Sequence, residues 1–395
     1  MTCSQPGEPM IGDFATWRNM PITFDQTDTG SAAVQVANYL RVSPNTSSGP
    51  LAPSIELGLY AEKTGRTTSA YGPRWSELTT SGGRTQAIKA GVNPTKPDKR
   101  NHTYMTVRQD SGNQWDVLYD FNKVGSTTKQ LKVTSGNTNR VDIGLEVTGP
   151  KYVDVPSIAN RMQFMTGNKV WQQTATANVA KSITLPACST SHKPPTCFTT
   201  KLTDNSKFTQ WTASKPRRQA AAMNSPTTLT APAVSPAATR AQSLPATFNG
   251  VDQRALHSCM ENNPDSCLAT VPGLSECVVT VRMCNAAALS SRESSTGTGP
   301  DAGVSAAVVR ERAAAAFNVP ADSLSVRPTA SPAGALKARF RAAADSDDGS
   351  WTVTSAGPTS GLQHTDRRFD GFTARYSTHT GALLEACWGD LCDVS

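Results

Sequence analysis

The sequence predicts a mainly β protein: an antiparallel jelly-roll or concanavalin-like sandwich, a Pro/Ala-rich linker, and a small disulfide-bonded α+β domain. Short runs rich in Val, Thr, Tyr and Ile, separated by Gly, Asn, Asp and Pro, fill residues 10–211. Many short strands with turn signals between them are typical of sandwiches. Only 17% of the 395 residues are charged, which is typical of a secreted protein rich in strands and loops. We therefore expect a sandwich over 1–211, a linker over 212–247 and a second domain over 248–395.

Five stretches of the sequence predict strands in the first domain. The run Ala33–Val42 is a strand candidate, with Val, Tyr and Leu in its pattern. Tyr104–Arg108 and Trp115–Phe121 flank an Asp-Ser-Gly-Asn segment, which predicts a hairpin. Arg161–Met165 and Lys169–Gln173 predict another pair of strands.

The linker and the last domain have different compositions. Residues 213–247 place five prolines among Ala, Ser and Thr, and such a segment cannot bury enough apolar surface to offset its ordering entropy. Val304–Phe317 predicts a helix that ends at Asn-Val-Pro. Strands are predicted at Leu336–Ala342, Trp351–Thr354 and Phe372–Ser377, which makes an α+β plan. Its element order and the segment Phe372–Gly381 resemble the PepSY or cystatin-like units of secreted proteins.

Nine cysteines indicate disulfides in an oxidising compartment. Cys3 is left over, and the other eight fall into close sequence pairs, which we take as a hypothesis for the connectivity: Cys188/Cys197, Cys259/Cys267, Cys277/Cys284 and Cys387/Cys392. No CxxC pair occurs, and no histidine completes a zinc spacing. We expect no metal and no cofactor.

Charge and hydropathy limit the partners and the location. The net charge of +7 is dispersed along the chain, so no nucleic-acid partner is expected. The sequence contains no run of about 18 apolar residues, so no membrane span is predicted. Residues 1–10 do not form an apolar signal core, so an extracellular protein would have lost its leader or used another export route. Motifs for serine hydrolases, zincins and nucleotide binding are absent from the sequence.

Two strand-like segments carry the candidate chemistry. Residues 54–60 read SIELGLY, and residues 141–147 read VDIGLEV. Because side chains alternate along a strand, Glu56 and Glu146 each lie on a polar face opposite an apolar one. Gly58 and Gly144 lie two residues from these glutamates on the same face, where a glycine lets a ligand approach closely. Two carboxylates on a cleared surface are what acid–base hydrolysis by a carboxyl pair requires.

These segments resemble the neprosin family of secreted glutamic peptidases. The family carries a segment of the form I-E-A-G-W and, later, one of the form W-G-G-E-V; here the corresponding stretches are Ile55–Leu59 and Ile143–Val147. Val92–Pro94, the hairpin that contains Asp110–Trp115 and the strand Ser31–Val42 fall in the family's order. The resemblance covers about residues 10–175. It implies a jelly-roll sandwich with Glu56 and Glu146 as the catalytic pair.

The chain also departs from the family's motifs. Leu59 replaces the tryptophan of the first motif, and Ile143 and Leu145 replace the Trp and the second Gly of the other. The cysteine-bearing loop that follows the first glutamate in the family is absent, and YGPRW stands there instead. From these residues we also expect no counterpart of the family's pro-domain. These departures leave substrate preference and retained catalysis open.

The resemblance implies hydrolysis of a protein or peptide substrate in acid, where the two glutamates share a proton. Glu146 is assigned as the base that activates water, and Glu56 as the acid that polarises the scissile carbonyl and protonates the leaving amine. Tyr60 and Trp75 are candidates for holding an extended peptide, although ordinary packing is the alternative for both.

Two other functions remain open at the level of sequence. A catalytically inactive jelly roll could bind carbohydrate or a cell-wall or protein surface by stacking sugars on aromatic side chains. The candidates for that stacking are Trp17, Trp75, Trp115 and Trp171. The C-terminal domain could instead act as an accessory unit that docks on the first domain as an inhibitor or an anchor.

Overall fold

The fold comes from a computed structural model, which describes residues 2–3, 10–24, 33–43, 53–64, 67–88, 97–128, 140–149, 152–174, 179–180, 188–189, 196–204, 207–212, 245–280, 283–287, 303–329, 349–362, 367–379 and 381–392. Antiparallel strands dominate these residues, and short connections join many of them. In chain order the strands are β1 Thr2–Cys3, β2 Met10–Arg18, β3 Thr23–Phe24, β4 Ala33–Ser43, β5 Ser54–Thr64, β6 Thr67–Leu78, β7 Gly82–Ala87, β8 Asn101–Arg108, β9 Trp115–Tyr119, β10 Asn122–Ser126, β11 Arg140–Val147, β12 Val153–Asp154, β13 Ile158–Thr166, β14 Trp171–Gln173, β15 Val179–Ala180, β16 Cys188–Ser189, β17 Thr196–Asp204, β18 Lys207–Thr212, β19 Thr247–Phe248, β20 Val251–Asp252, β21 Ser325–Thr329, β22 Ser350–Thr359, β23 Phe369–Ser377 and β24 Leu383–Gly389.

Two large sheets organise the described strands. Sheet A has the order β15-β1-β11-β4-β5-β6-β7-β24-β23-β22-β21. Sheet B has the order β10-β9-β8-β2-β13-β18-β17-β16, with β14 paired to β13. The alternation of apolar and polar residues lets each strand bury one face, because successive side chains point to opposite sides of a sheet.

The two sheets pack face to face around one apolar core. Val36 and Leu57 of sheet A meet Trp17, Tyr104 and Phe164 of sheet B in the same buried cluster. The rings of Trp17 and Tyr104 stack with centroids 3.9 Å apart. This arrangement confirms the predicted antiparallel β-sandwich.

Short helices cover the outer face of sheet B. They are α1 Gln253–Asn262, α2 Cys267–Thr270 and α3 Leu274–Thr280. Leu256, Leu268 and Leu274 of these helices share a second apolar cluster with Phe14 and Phe121 of the sheet. The Asp252 carboxylate begins α1 by accepting hydrogen bonds from two backbone N–H groups of the first turn.

The C-terminal strands extend sheet A rather than forming a separate sheet. Strand β24 pairs antiparallel with β7, with Ala386 opposite Thr85 and Trp388 opposite Gly83. Gly83 has to lack a side chain, because a Cβ there would lie 2.2 Å from the Trp388 ring. Helix α4, Ala306–Phe317, packs on these strands through the Phe317 ring, which stacks on Phe372 at 3.8 Å.

The helix and strand predictions for the C-terminal part are confirmed where the structure describes them. Helix α4 begins after the cap Ser305 and ends at Asn318, which adopts a left-handed conformation with φ 53°. The predicted strand Leu336–Ala342 lies outside the described residues, as do residues 213–244 of the linker predicted over 212–247. The division of the chain into domains stays a prediction. Within the described segments, no helix has the length and hydropathy needed to cross a membrane.

Disulfides join three of the four predicted cysteine pairs: Cys259–Cys267, Cys277–Cys284 and Cys387–Cys392. The first two lie in the helical segment on sheet B, and the third lies at the end of β24. For the fourth pair the structure describes the backbone, which places Cys188 opposite Cys197 in the β16–β17 ladder. That bond stays a prediction.

Candidate functional site

The outer face of sheet A carries a row of polar side chains across adjacent strands. Arg41 of β4 lies opposite Glu56 of β5, and Glu56 lies opposite Ser76 of β6. Glu146 of β11 lies opposite Ala37, four residues from Arg41 and on the same face of β4. The apolar residues of these strands fill the sandwich core, so their polar residues meet on one side.

Two residues donate hydrogen bonds to the Glu56 carboxylate. Arg41 donates to Glu56 Oε2 from Nε at 2.8 Å and from Nη2 at 2.5 Å. The Tyr60 hydroxyl donates to Oε1 at 2.5 Å. Glu56 is 3% exposed, so these charge-assisted bonds replace most of its water. Arg41 and Tyr60 both donate to this carboxylate.

Glu146 lies on the other side of the same arginine. Arg41 Nη2 is 3.9 Å from Glu146 Oε2 and 2.5 Å from Glu56 Oε2, so the two carboxylate oxygens are within about 6.4 Å of each other. Burial and then the charge of Glu56 raise the pKa of Glu146, whereas Arg41 lowers it. The Glu146 side chain remains 54% exposed, so water weakens the effect of burial on this pKa and lets the carboxyl exchange protons with solvent.

The two predicted glutamates therefore differ in environment, and the difference is the reverse of the roles assigned from sequence. The carboxyl with the raised pKa is Glu146, which favours it as the proton donor. Glu56 accepts three hydrogen bonds and favours the role of the base. Environments that separate two carboxyl groups in this way distinguish the acid from the base of a pair.

Gly58 and Gly144 make room for protein rather than for a ligand. A Cβ at Gly144 would lie 3.0 Å from the Tyr39 hydroxyl, because the Tyr39 ring covers this glycine. A Cβ at Gly58 would lie 2.3 Å from the backbone oxygen of Asn38. Arg41 in turn lies over the Tyr39 ring, 4.7 Å from its centroid. The expectation that both glycines clear a surface for substrate is therefore wrong.

The two glutamates open into one pocket. Its lining consists of Gln35, Ala37, Glu56, Tyr60, Arg74, Ser76, Thr85, Glu146, Thr148 and Leu362. Water-sized molecules can occupy about 50 Å³ of it, and one water needs roughly 10–15 Å³ of such space. The pocket therefore has room for a few waters or one small side chain. Leu362, which follows β22, brings the C-terminal segment into its wall.

Tyr60 lines the pocket beside Glu56. Burial, and next the carboxylate of Glu56, raise the pKa of Tyr60 well above its usual range, so its hydroxyl stays protonated as a donor. Arg74 covers the other side of the ring, 4.8 Å from its centroid. Tyr60 thus links Arg74 to Glu56.

The tryptophans do not belong to this site. Trp75 is 1% exposed and points into the sandwich core with Leu57, its partner across the ladder, so its predicted contact with substrate is wrong. Trp17 and Trp115 are also fully buried in that core. Trp171 packs on Phe14 at the outer face of sheet B. None of these four rings lies in the pocket of Glu56 and Glu146.

Sequence reasoning missed Arg41 and Arg74. Arg41 lay in a predicted strand, and its alternation with Val42 and Leu40 placed it on a polar face. The missing information was that β4 runs between β5 and β11. Arg74 directly precedes Trp75, the predicted substrate contact, and lies on the opposite face of the same strand.

Comparisons with known proteins add no functional assignment. No protein-family model and no curated protein matches the chain. One solved structure that matches is described as the Ruminococcus gnavus IT-sialidase CBM40, with 10% identity and a TM-score of 0.17. The match covers 34% of this chain and 64% of that one. A TM-score this low supports no conclusion about fold or function. The site and the sandwich together define a β-sandwich protein with an arginine-bridged pair of glutamates.

Proposed function

We propose that this protein is a secreted endopeptidase that hydrolyses peptide bonds in acid with Glu56 and Glu146. The observation that carries the proposal is the distance of at most about 6.4 Å between the two carboxylates, on either side of Arg41 in one pocket. The glutamates come from strands separated by β4, so neither local sequence nor a shared hairpin brings them together. The disulfides are typical of the oxidising compartments in which secreted proteins fold.

In the proposed reaction Glu56 acts on a water molecule. Its Oε1 accepts one hydrogen bond from Tyr60 and retains a site for a second donor. Glu56 takes a proton from that water while the water oxygen bonds to the carbonyl carbon of the peptide. Glu146 then gives its proton to the amine nitrogen as the carbon–nitrogen bond breaks. Transfer of the proton from Glu56 to Glu146 through water restores both groups.

The proposed pH dependence follows from the proton on Glu146. Because the pKa of Glu146 is raised, the protonated form persists into weakly acidic solution and is lost as the pH rises. Glu56, which accepts hydrogen bonds from Arg41 and Tyr60, acts as the base. Activity is therefore expected to be highest in acid and to fall toward neutral pH.

The test is cleavage of a denatured protein at about pH 3–6, with products identified by peptide mapping. We expect the wild type to cleave, and Glu146→Gln and Glu56→Gln to lose at least about a hundredfold in rate. Glu276→Gln is the matched control, since Glu276 is exposed on α3, away from the pocket. Equal cleavage by all four proteins would contradict the proposal. No cleavage by any of them would favour the binding-module alternative, which retention on insoluble polysaccharide would then test.

A further inference from the structure

Arg74 is a cation of the pocket that forms no ion pair with any carboxylate the structure describes. Neighbouring arginines of sheet A do form such pairs: Arg41 with Glu56 at 2.5 Å, and Arg84 with Glu77 at 3.6 Å. Arg74 is half-buried and contributes to the pocket lining. Its guanidinium rests on the Tyr60 ring, which limits its freedom and leaves its N–H donors available to a ligand.

The residues opposite Arg74 on the two neighbouring strands have no long side chain. Gly58 lies opposite Arg74 on β5, and Ala87 lies opposite it on β7. A guanidinium flanked by glycine and alanine is not covered by long side chains from its two neighbouring strands. The same row therefore presents a cation next to the carboxylate pair.

The side chains that line the pocket, together with Arg41, carry a net positive charge when Glu146 holds its proton. Arg41 neutralises Glu56, and Glu146 is uncharged when it holds its proton. Arg74 then leaves the pocket with one positive charge in acid. Tyr60 is neutral, and the remaining lining side chains carry no charge: Gln35, Ala37, Ser76, Thr85, Thr148 and Leu362.

We infer that Arg74 binds a carboxylate of the ligand, so that the pocket selects peptides with an acidic side chain or a free C-terminus beside the reacting bond. The inference rests on the proposed function for the identity of the ligand as a peptide. The planar guanidinium can donate two parallel hydrogen bonds to a carboxylate, which gives direction as well as affinity. Arg74 is thus a residue that sets specificity, whereas Glu56 and Glu146 perform the chemistry.

The test measures peptide binding to the full chain carrying Glu146→Gln, at about pH 5, by calorimetry. The probes are Ala-Ala-Glu-Ala and Ala-Ala-Gln-Ala, each with a free and an amidated C-terminus. A charge-assisted hydrogen bond contributes about 1.5–3 kcal/mol, so Arg74→Met should weaken binding of the preferred carboxylate peptide roughly 10- to 150-fold. The doubly neutral peptide, Gln with an amidated end, should bind equally to both proteins. Comparison of the four probes shows whether a side chain or the C-terminus is the source of the carboxylate.

Two further variants keep the test decisive. Arg74→Lys keeps the charge without the planar fork and should retain part of the preference, which separates a binding role from a loss of folding. Arg327→Met removes an exposed positive charge of β21 and should leave binding unchanged. Equal affinity of Arg74→Met and its parent for every peptide would overturn the inference.

The outcome also distinguishes this inference from the proposed function. Arg74-dependent binding of carboxylate peptides that the wild-type protein does not cleave would support the inference and contradict hydrolysis. Cleavage that needs Glu146 but shows no preference for a carboxylate would support hydrolysis and contradict the inference.

Discussion

Asp13 offers a test of how the sandwich responds to pH. It lies fully buried on β2, in register between Phe164 and Thr106, and within the interior of the sandwich. Its Oδ1 accepts hydrogen bonds from the backbone N–H and the hydroxyl of Thr106. Its Oδ2 is buried and has no hydrogen-bond partner among the described residues. Burial raises the pKa of Asp13 to about 7, although the bonds from Thr106 oppose the rise.

The contribution of Asp13 to the free energy of unfolding follows from the difference between its folded and unfolded pKa. The folded value of about 7 exceeds the reference value of 3.8, so the folded state binds more protons between these limits. The favourable contribution is complete below about pH 4 and is lost as the pH rises through about 7. A difference of about three pH units, at about 1.36 kcal/mol each, corresponds to ~4 kcal/mol as an upper limit.

Asp13→Asn should remove this dependence, because the amide keeps an oxygen for Thr106 and carries no charge. We expect its free energy of unfolding, measured in urea, to exceed that of the wild type by about 2–4 kcal/mol at pH 8 and to differ by less than about 1 kcal/mol at pH 4. Asp370→Asn on β23 is the control, since Asp370 is exposed and should change stability little at either pH. A gain of equal size at both values, or no gain at pH 8, would refute the role given to burial.

Three further predictions concern the scaffold. Burial alone would lower the pKa of His102, but Asp120 and a second aspartate in contact with it raise that pKa to about 9. The stabilisation by this charged histidine is therefore present below about pH 6.5 and lost as the pH rises through 9. His102→Gln should lower the free energy of unfolding, measured in urea, by about 1–3 kcal/mol at pH 6 and by almost nothing at pH 10. A cost that persists at pH 10 would contradict the charged pair. Replacing Cys259 and Cys267 together by serine should lower the free energy of unfolding by about 2–3 kcal/mol, measured in urea, and no loss would indicate that this short loop is already held by packing. A chain that ends after Thr212 should aggregate in size-exclusion chromatography, because it would uncover the outer apolar face of sheet B and the edge of β7. A folded monomer would show that the C-terminal part is dispensable.

The sequence alone was sufficient for the local features. The alternation in residues 54–60 and 141–147 predicted which side chains of each strand share a face, and the apolar residues of both strands lie in the sandwich core. The hairpin of β8 and β9 pairs Arg108 with Trp115, as its turn residues predicted. Helix α4 ends at Asn318 as expected. Each of these features depends on residues close in the chain, where the period of a strand or a helix acts directly.

The tertiary structure decided which strands lie side by side and, with that, the composition of the site. Arg41 lies between the glutamates because β4 pairs with β5 on one edge and with β11 on the other, and residues 33–43 and 140–147 are far apart in sequence. Trp75 points into the core because the face of β6 that meets sheet B is the apolar one. Leu362 lines the pocket from the C-terminal part of the chain, which joins sheet A where β24 pairs with β7. Strand alternation specifies the face of a residue but not its neighbour across the ladder, because backbone hydrogen bonds are the same for every partner strand and apolar contacts have no direction.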